Sequence, residues 1–468
     1  MPNALDLVYA MAAGALAPVM LLRPGQRAKV ARTLAERTGD VPSRPRGAAG
    51  RDEAVLVHAV SLGEVNATRA LIAALLAERP GLHVVLTTTT AAGLARAREL
   101  FDADDRITVA GYPLDFSVCV IRCLGRLRPS VVVLMELEVW PNFIAECRRR
   151  GIPVILANGR LTGKSFARYH AARRAVKPMF AALHTVLVQE EVYRERFVAL
   201  GTRPERTKVV GSMKFDTAPH GPDETAAAGL AGAMGLDRGH PVWVCGSTGP
   251  GEEAVLVRVY DHLLNRWPKL RLVLVPRKPE RFDEVAELVK EMGHDLIRRS
   301  RPMLEAGQRV GAASGGPEPV VLVDTLGELR HAYALADVVF VGRSLVDLGA
   351  SQHGSDMIEP AALGKPVAVG RYTTNFAGAV SALKSAGGVA EVADEAQLAE
   401  VLAGWLADES GRRAVGGRAA VAVAEGRGAT ARHVAAVLAA LNGVPERSTA
   451  WPPEPPARPA VLAGHGLD

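Results

Sequence analysis

The sequence predicts two doubly wound, parallel α/β domains in tandem, and three observations carry that expectation. Short apolar runs alternate with helix-period segments in two series, one starting at Glu53 and one at Pro241. A stretch rich in Ala, Gly and Pro, 216–240, separates the two series. Five segments set charged or polar residues at Gly-marked turns between a strand and a helix: 58–64, 135–142, 246–253, 324–329 and 356–366. Doubly wound sheets bind ligands beyond the carboxyl ends of their strands, where such turns lie. Two segments fall in the first half and three in the second, so the expectation is two facing domains with a reaction between them.

In the first series, strands are expected at 54–60, 83–86, 131–135, 154–157 and 185–189. Helices are expected at 66–78, 91–101, 116–126, 142–150 and 191–200. The second series predicts strands at 241–245, 270–275, 320–323, 338–341 and 366–369. Its helices are expected at 252–266, 280–292, 326–334 and 357–363, with 395–406 and 430–441 closing the fold. The stretch 300–319 reads as a Gly/Pro-rich insertion, and the Pro-rich tail from Pro445 as disordered. The predicted domain limits are therefore 26–218 and 241–442, with a linker at 219–240, a tail at 443–468 and an N-terminal anchor at 1–25.

Composition supports this partition. A chain of 468 residues exceeds one ordinary core, and 48% apolar residues can fill two. The net charge of +6 favours an anionic partner without choosing one. No basic run is interleaved with aromatics, so nucleic acid is not expected as a partner. Cys119 and Cys123 lie one helical turn apart, but Cys147 and Cys245 supply no second pair, so reduced thiols are expected rather than a metal site.

The segment Leu7 to Leu22 carries no charge, and the following 23–50 holds seven basic residues against two acidic ones. As a helix its 16 residues reach about 24 Å, somewhat short of the ~30 Å hydrocarbon core. Two readings stay open for it: a span or interfacial anchor that leaves the body in the cytoplasm, and an amphipathic helix docked on the first domain.

Each polar turn admits a chemical reading beside a structural one. Glu64 stands at a helix start, where it can take a proton from an attacking hydroxyl or simply complement the helix dipole. Glu136 and Glu138 follow an apolar strand, and alternation would put both on one side of it, facing a substrate or paired with an arginine such as Arg160. Gly246-Ser247-Thr248 offers donors to a phosphate or carboxylate but lacks the Lys-Ser/Thr of a Walker loop. Glu359, about one turn into a helix begun by Gly354-Ser355-Asp356, suits a ribose diol. Arg160, Lys164, Arg168, Arg173 and Arg174 form either a phosphate-binding cluster or a solvated basic face.

Taken together the motifs identify a resemblance. His58-Ala-Val-Ser-Leu-Gly-Glu64, Leu134-Met-Glu-Leu-Glu-Val-Trp-Pro-Asn142, Asn158-Gly-Arg160, Val209-Val-Gly-Ser-Met-Lys-Phe-Asp216, Gly246-Ser-Thr248, Val275-Pro-Arg-Lys-Pro-Glu-Arg-Phe282, Asp324-Thr-Leu-Gly-Glu-Leu329, Gly342-Arg-Ser344, Met357-Ile-Glu-Pro-Ala361 and Asn375-Phe376 occur in order. They resemble the 3-deoxy-D-manno-octulosonic acid (Kdo) transferases of lipopolysaccharide synthesis, inverting glycosyltransferases of GT-B architecture. The resemblance implies Kdo transfer from CMP-Kdo to an anionic lipid A precursor at the cytoplasmic face of the inner membrane, without a metal ion. It implies Glu64 as general base, with Glu136 and Glu138 beside it. It implies Ser61, Asn142, Arg160 and Lys214 on the acceptor side, and Ser247, Thr248, Arg277, Glu328, Ser355, Glu359 and Asn375 on the donor side. Three departures fall in the donor pocket. Gly342-Arg343-Ser344 stands where members usually show Gly-Gly-Ser, a longer 349–356 replaces a Gly-Gly-His-Asn turn, and Gly249 replaces an expected His. The rivals are a GT-B transferase with another nucleotide sugar, a non-catalytic lipid- or polysaccharide-binding homologue, and a nucleotide-sugar epimerase.

Overall fold

Fourteen parallel strands, seven in each of two sheets, organise the computed structural model, which describes residues 3, 5–7, 9–11, 36–43, 53–218, 221–236, 239–301, 318–349 and 352–443. The chain divides into two units, the first comprising 1–217 and 427–468 and the second 218–426.

The first sheet contains β1 (Ala54–His58), β2 (His83–Thr88), β3 (Ile107–Gly111), β4 (Val131–Met135), β5 (Val154–Gly159), β6 (Thr185–Val188) and β7 (Thr207–Val209). Their order is β3-β2-β1-β4-β5-β6-β7. The central strands are apolar at every position because helices cover both faces of a parallel sheet. Leu56, Val132, Leu134 and Leu156 pack into one core, while Val55, Val57, Val133 and Met135 pack into the other. The expected strands all form. β3 and β7 lie beyond them, and both occupy sheet edges, where less burial leaves a weaker apolar signature. Helices Gly163–Ala171 and Arg173–Ala181 follow β5, and the first of them buries no residue, so no apolar stripe announced it.

Helix Ala429–Leu441 belongs to this first unit, whereas the sequence grouped it with 241–442. Ala429, Val434, Ala436 and Val437 join the core of Val55, Val57 and Met135. Asp216 receives the backbone N–H groups of Gly428 (2.6 Å) and Thr430 (2.5 Å), capping the helix from a distant part of the chain. His433, fully buried, accepts the Asn158 N–H at Nε2 (2.8 Å) and reaches the Ala429 carbonyl with Nδ1 (2.7 Å). Burial pushes its pKa down to about 4, which keeps the ring neutral and puts its proton on Nδ1.

Most of the expected anchor, 1–25, lies outside the described residues, and among the described residues no helix is long and apolar enough to cross a membrane. Those that are described are tied to the first unit. Asp6 accepts from the Ser117 N–H and hydroxyl (2.8 and 2.6 Å), and the Tyr9 hydroxyl reaches Asp115 (3.0 Å). Leu7 and Met11 stay 63% and 60% exposed.

The second sheet contains β8 (Val242–Thr248), β9 (Arg271–Pro276), β10 (Leu296–Arg298), β11 (Val320–Leu322), β12 (Val338–Val341), β13 (Val367–Gly370) and β14 (Val389–Val392), ordered β10-β11-β9-β8-β12-β13-β14. The expected linker, 219–240, contains a regular helix, Glu224–Ala233, capped by the Asp223 side chain and included in this unit. Helices Ala377–Ser385 and Glu409–Gly426 were likewise not foreseen. The Gly/Pro-rich insertion at 302–317 and the tail at 444–468 lie outside the described residues. All four cysteines are free thiols.

The His433–Asn158 bond makes the last helix part of the first unit's core. His433→Leu keeps the volume but strands the Asn158 N–H, so urea denaturation should show the first unit destabilised by about 1–3 kcal/mol.

Candidate active site

Both sheets reverse their strand order at one place. β1 is followed in sequence by β2 on one side and flanked by β4 on the other, and β8 is likewise flanked by β9 and β12. A crevice opens at the carboxyl ends of such pairs. Among the described residues five that are not glycine hold a left-handed φ: Arg128, Glu136, Asn158, Ser247 and Arg343. Four of these stand where β4, β5, β8 and β12 end, and strain of this kind gathers at functional turns.

In the first unit, Ser61 and Glu64 form a capping box at the start of helix Leu62–Glu78. The Ser61 hydroxyl donates to Glu64 Oε1 (2.9 Å), the Val60 N–H donates to Oε2 (3.0 Å), and the Glu64 N–H points back at Ser61 Oγ (3.4 Å). Burial, and then the charge of Glu136, lift the Glu64 pKa to about 7 against the donors that lower it. Glu64 thus caps a helix while its pKa is lifted to neutrality.

Glu136 and Glu138 do not alternate on a strand, as the sequence had suggested, because β4 ends at Met135. Glu136 takes a left-handed turn (φ 54°), and the Trp140 indole N–H binds Glu138 (3.1 Å). Burial raises the Glu138 pKa. The Arg160 N–H meets the Glu136 carbonyl (3.4 Å), and the Arg160 side chain bonds the Tyr193 hydroxyl. Asn158 Oδ1 accepts from the Met213 N–H (3.2 Å), which brings Lys214 to the Arg160 turn. Ser61, Glu64, Glu136, Glu138, Arg160 and Lys214 therefore share the carboxyl end of this sheet. Asn142, expected on the acceptor side, is instead buried: its amide nitrogen donates to Asp6 (3.0 Å) and the Asp115 carbonyl (2.5 Å), and its oxygen accepts from Asn3 (2.7 Å). These bonds tie the N-terminal residues Asn3 and Asp6 to the start of the helix Pro141–Arg149.

In the second unit Ser247 and Thr248 end β8 in a bulge, and the Arg277 N–H meets the Thr248 carbonyl (3.1 Å). The Thr248 hydroxyl donates to Glu253 (2.7 Å), which Arg281 grips through two nitrogens (2.6 and 2.9 Å), so Thr248 sets the loop's shape. The buried Ser355 hydroxyl reaches the Ser247 carbonyl (3.4 Å), joining the turns after β8 and β12. Glu328 is paired with Arg299 (3.0 Å) and also bonded by Thr325, so its carboxylate is already engaged. The Asn375 N–H meets the His353 carbonyl (3.3 Å). Glu359 differs from these. The helix that carries it runs only from Ile358 to Ala362, and its side chain has no hydrogen-bond partner among the described residues. Burial, and then Asp356, raise its pKa to about 7.

Sequence reasoning missed Glu252 as a site residue. Fully buried, it accepts the N–H groups of Gly249 (2.8 Å), Arg343 (2.6 Å), Ser344 (2.8 Å) and Leu345 (2.9 Å), binding the two turns that flank the crevice. Gly342 permits this approach: a Cβ there would sit 2.5 Å from Thr248 Cα. The signal available was the acidic pair Glu252-Glu253 directly after a Gly-rich turn.

Comparison with known proteins agrees with this geometry. The family model for 3-deoxy-D-manno-octulosonic-acid transferase (kdotransferase) matches residues 32–217. The chain is 36% identical to a 3-deoxy-D-manno-octulosonic acid transferase of Bordetella pertussis, covering 92% of this chain and 98% of the relative. It is 32% identical to the transferase of the same name in Haemophilus influenzae, covering 81% of this chain and 85% of that one. A glycosyltransferase structure from Rickettsia africae superposes with TM-score 0.55 at 12% identity, over 84% of this chain and 99% of that one, which shows that the fold is shared.

Two titrations follow. By carbon-13 NMR of labelled glutamates, Glu64 should protonate near pH 7, and Glu136→Gln should move that midpoint to lower pH by removing the neighbouring charge. For Glu359, a pKa raised from 4.5 to about 7 means the folded chain holds a proton that the unfolded chain has lost. Stability is therefore present below pH 4.5 and lost as pH rises through about 7. Glu359→Gln escapes this, and should gain about 1–2 kcal/mol over wild type on going from pH 5 to pH 8, allowing for solvent screening.

Proposed function

The chain belongs to the 3-deoxy-D-manno-octulosonic-acid transferase family of glycosyltransferases, and we propose that it transfers Kdo from CMP-Kdo to a hydroxyl of a lipid A precursor. The observation that carries the mechanism is Glu64, a carboxylate at the crevice of the first sheet whose pKa is lifted to about 7. At neutral pH a large fraction of it is ionised and basic enough to accept a proton. The acceptor hydroxyl attacks the anomeric carbon of Kdo, the bond from that carbon to the phosphate oxygen breaks, and CMP leaves with the electron pair. The hydroxyl proton passes to Glu64. Attack opposite the leaving group inverts the anomeric centre.

Glu136 and Glu138 act through charge, holding Glu64 at its working pKa. On the donor side Glu359 takes the ribose diol, since two hydroxyls supply the donors that its carboxylate lacks. Ser247, Ser355, Arg277 and Asn375 surround the CMP moiety, while Thr248 and Glu328 hold the turns in shape. The charge on the leaving phosphate is met by guanidinium and backbone donors, and the proposal includes no metal ion.

For the acceptor, the proposal uses Ser61, Arg160, Lys214 and the helices Gly163–Ala171 and Arg173–Ala181. Lys164, Arg168, Arg173, Arg174 and Lys177 of these helices are all exposed. Leu7, Met11, Val118 and Trp140 add exposed apolar side chains to the same unit. Basic and apolar groups together favour an anionic lipid surface, and the proposal puts the enzyme at the cytoplasmic face of the inner membrane.

Transfer from CMP-Kdo to a tetraacyl lipid A precursor tests the mechanism. Glu64→Gln should lower kcat by at least about 10²-fold while CMP affinity is unchanged, and Glu359→Gln should weaken CMP binding. Wild-type kcat/KM should rise with pH through a midpoint near 7, as the base ionises. A wild type that folds and binds CMP but transfers no Kdo would refute the donor or acceptor assignment. In vesicle sedimentation, the combined substitutions R168E, R173E and R174E should reduce binding to anionic vesicles and leave binding to neutral ones as it was.

A further inference from the structure

The turn after β12 contains a side chain that its backbone role does not require. Arg343 adopts φ 59°, a conformation glycine reaches without strain, and the N–H groups of residues 343–345 point at Glu252. Glycine would present those same N–H groups more easily, so the arginine side chain needs a separate explanation. Its stem lies against Gly249: a Cβ at that position would come within 3.0 Å of Arg343 Cγ and 2.5 Å of Leu348 Cδ1. Its Nε donates to the Gln352 carbonyl (3.0 Å). The stem is thus held at two places, and its terminal nitrogens have no partner among the described residues.

A second cation stands beside it. The Arg277 N–H is fixed on the Thr248 carbonyl, next to Gly249, and the Arg277 side chain is exposed with no carboxylate partner among the described residues. Burial, and then the charge of Arg277, depress the Arg343 pKa. The carboxylate whose charge acts on Arg343, Glu252, is already occupied by four backbone N–H groups. Two neighbouring guanidiniums, neither with a carboxylate partner among the described residues, stand by the turns after β8 and β12 and form a site that an anionic oxygen group would complete.

We propose that Arg343, held against Gly249 and paired with Arg277, is a donor-binding residue of this chain that receives a phosphate or carboxylate group of the nucleotide sugar. The proposal rests on the reading of the second unit as the donor-binding unit. CMP-Kdo carries both kinds of group, one on the nucleotide and one on the sugar, and the two are separable by experiment.

Calorimetric titration of the full chain with cytidine and with CMP, together with donor KM, tests it. If Arg343 meets the phosphate, Arg343→Gln should weaken CMP by about tenfold with cytidine unchanged, and Arg343→Lys should restore part of the loss. If it meets the sugar carboxylate, CMP affinity stays constant while donor KM rises by a similar factor. Arg343→Gly should weaken the same ligand yet raise Tm by about 2 °C, because it relieves the left-handed backbone. Gly249→Ala should weaken binding in wild type and add little in Arg343→Gln, and equal weakening in both backgrounds would refute the role given to Gly249. The proposal is overturned if a folded Arg343→Gln changes neither CMP affinity nor donor KM by more than twofold while wild type binds CMP. If wild type binds neither cytidine nor CMP, the donor-binding reading itself has failed, and this proposal with it.

Discussion

A carboxylate with no exposed surface is tolerated only when donors surround it, and Glu252 is the carboxylate on which the second unit's crevice depends. Each parallel strand ends with backbone N–H groups that no neighbouring strand can use. Glu252 collects four of them from two turns that are almost a hundred residues apart in sequence. Burial raises its pKa, and the four N–H bonds offset only part of that rise. The neighbouring Glu253 does parallel work with Arg281 and Thr248. The Gly246–Thr248 turn and the Gly342–Leu345 turn therefore keep a fixed separation, and every donor-side residue is placed relative to that frame.

The first unit solves the same problem with less burial and a chemical consequence. Glu64 also caps a strand end, accepting the Val60 N–H and the Ser61 hydroxyl, but it has fewer donors than Glu252 and feels two neighbouring carboxylates. Its charge is accordingly under-compensated, and that imbalance lifts its pKa to about 7. Glu359 shows the extreme case, a half-buried carboxylate without a hydrogen-bond partner among the described residues. The more completely a carboxylate is satisfied within the chain, the less it has left to offer a substrate. On that scale Glu252 is the most fully engaged and Glu359 the least.

The α/β alternation was legible because buried parallel strands must be apolar at every position, so runs such as Val131–Met135 have no competing reading. The edge strands β3 and β7 lacked that constraint, and the helix Gly163–Ala171, with no buried face, lacked a periodic stripe. The site motifs were legible as residues but not as partners. Nothing in local spacing says that Asn142 bonds Asp6, that Glu328 meets Arg299, or that His433 orders the Asn158 turn from the far end of the chain. Such pairings span tens to hundreds of residues and are set by topology. The domain limit at 442 failed for the same reason, since periodicity defines a helix but not the sheet that will bury it.

The two departures at positions 249 and 343 are not independent once the side chains are in place. A side chain at 249 would occupy the space through which the Arg343 stem runs, so the loss of bulk at one position and its gain at the other describe a single change of shape. That change adds a positive charge beside Arg277 and leaves the Glu252 frame intact, because Glu252 binds only the backbone of residue 343. A donor pocket built this way can alter its charge without altering its scaffold. Differences in donor preference between such transferases would then be expected in the side chains displayed on the frame, with the carboxylates that hold it left unchanged.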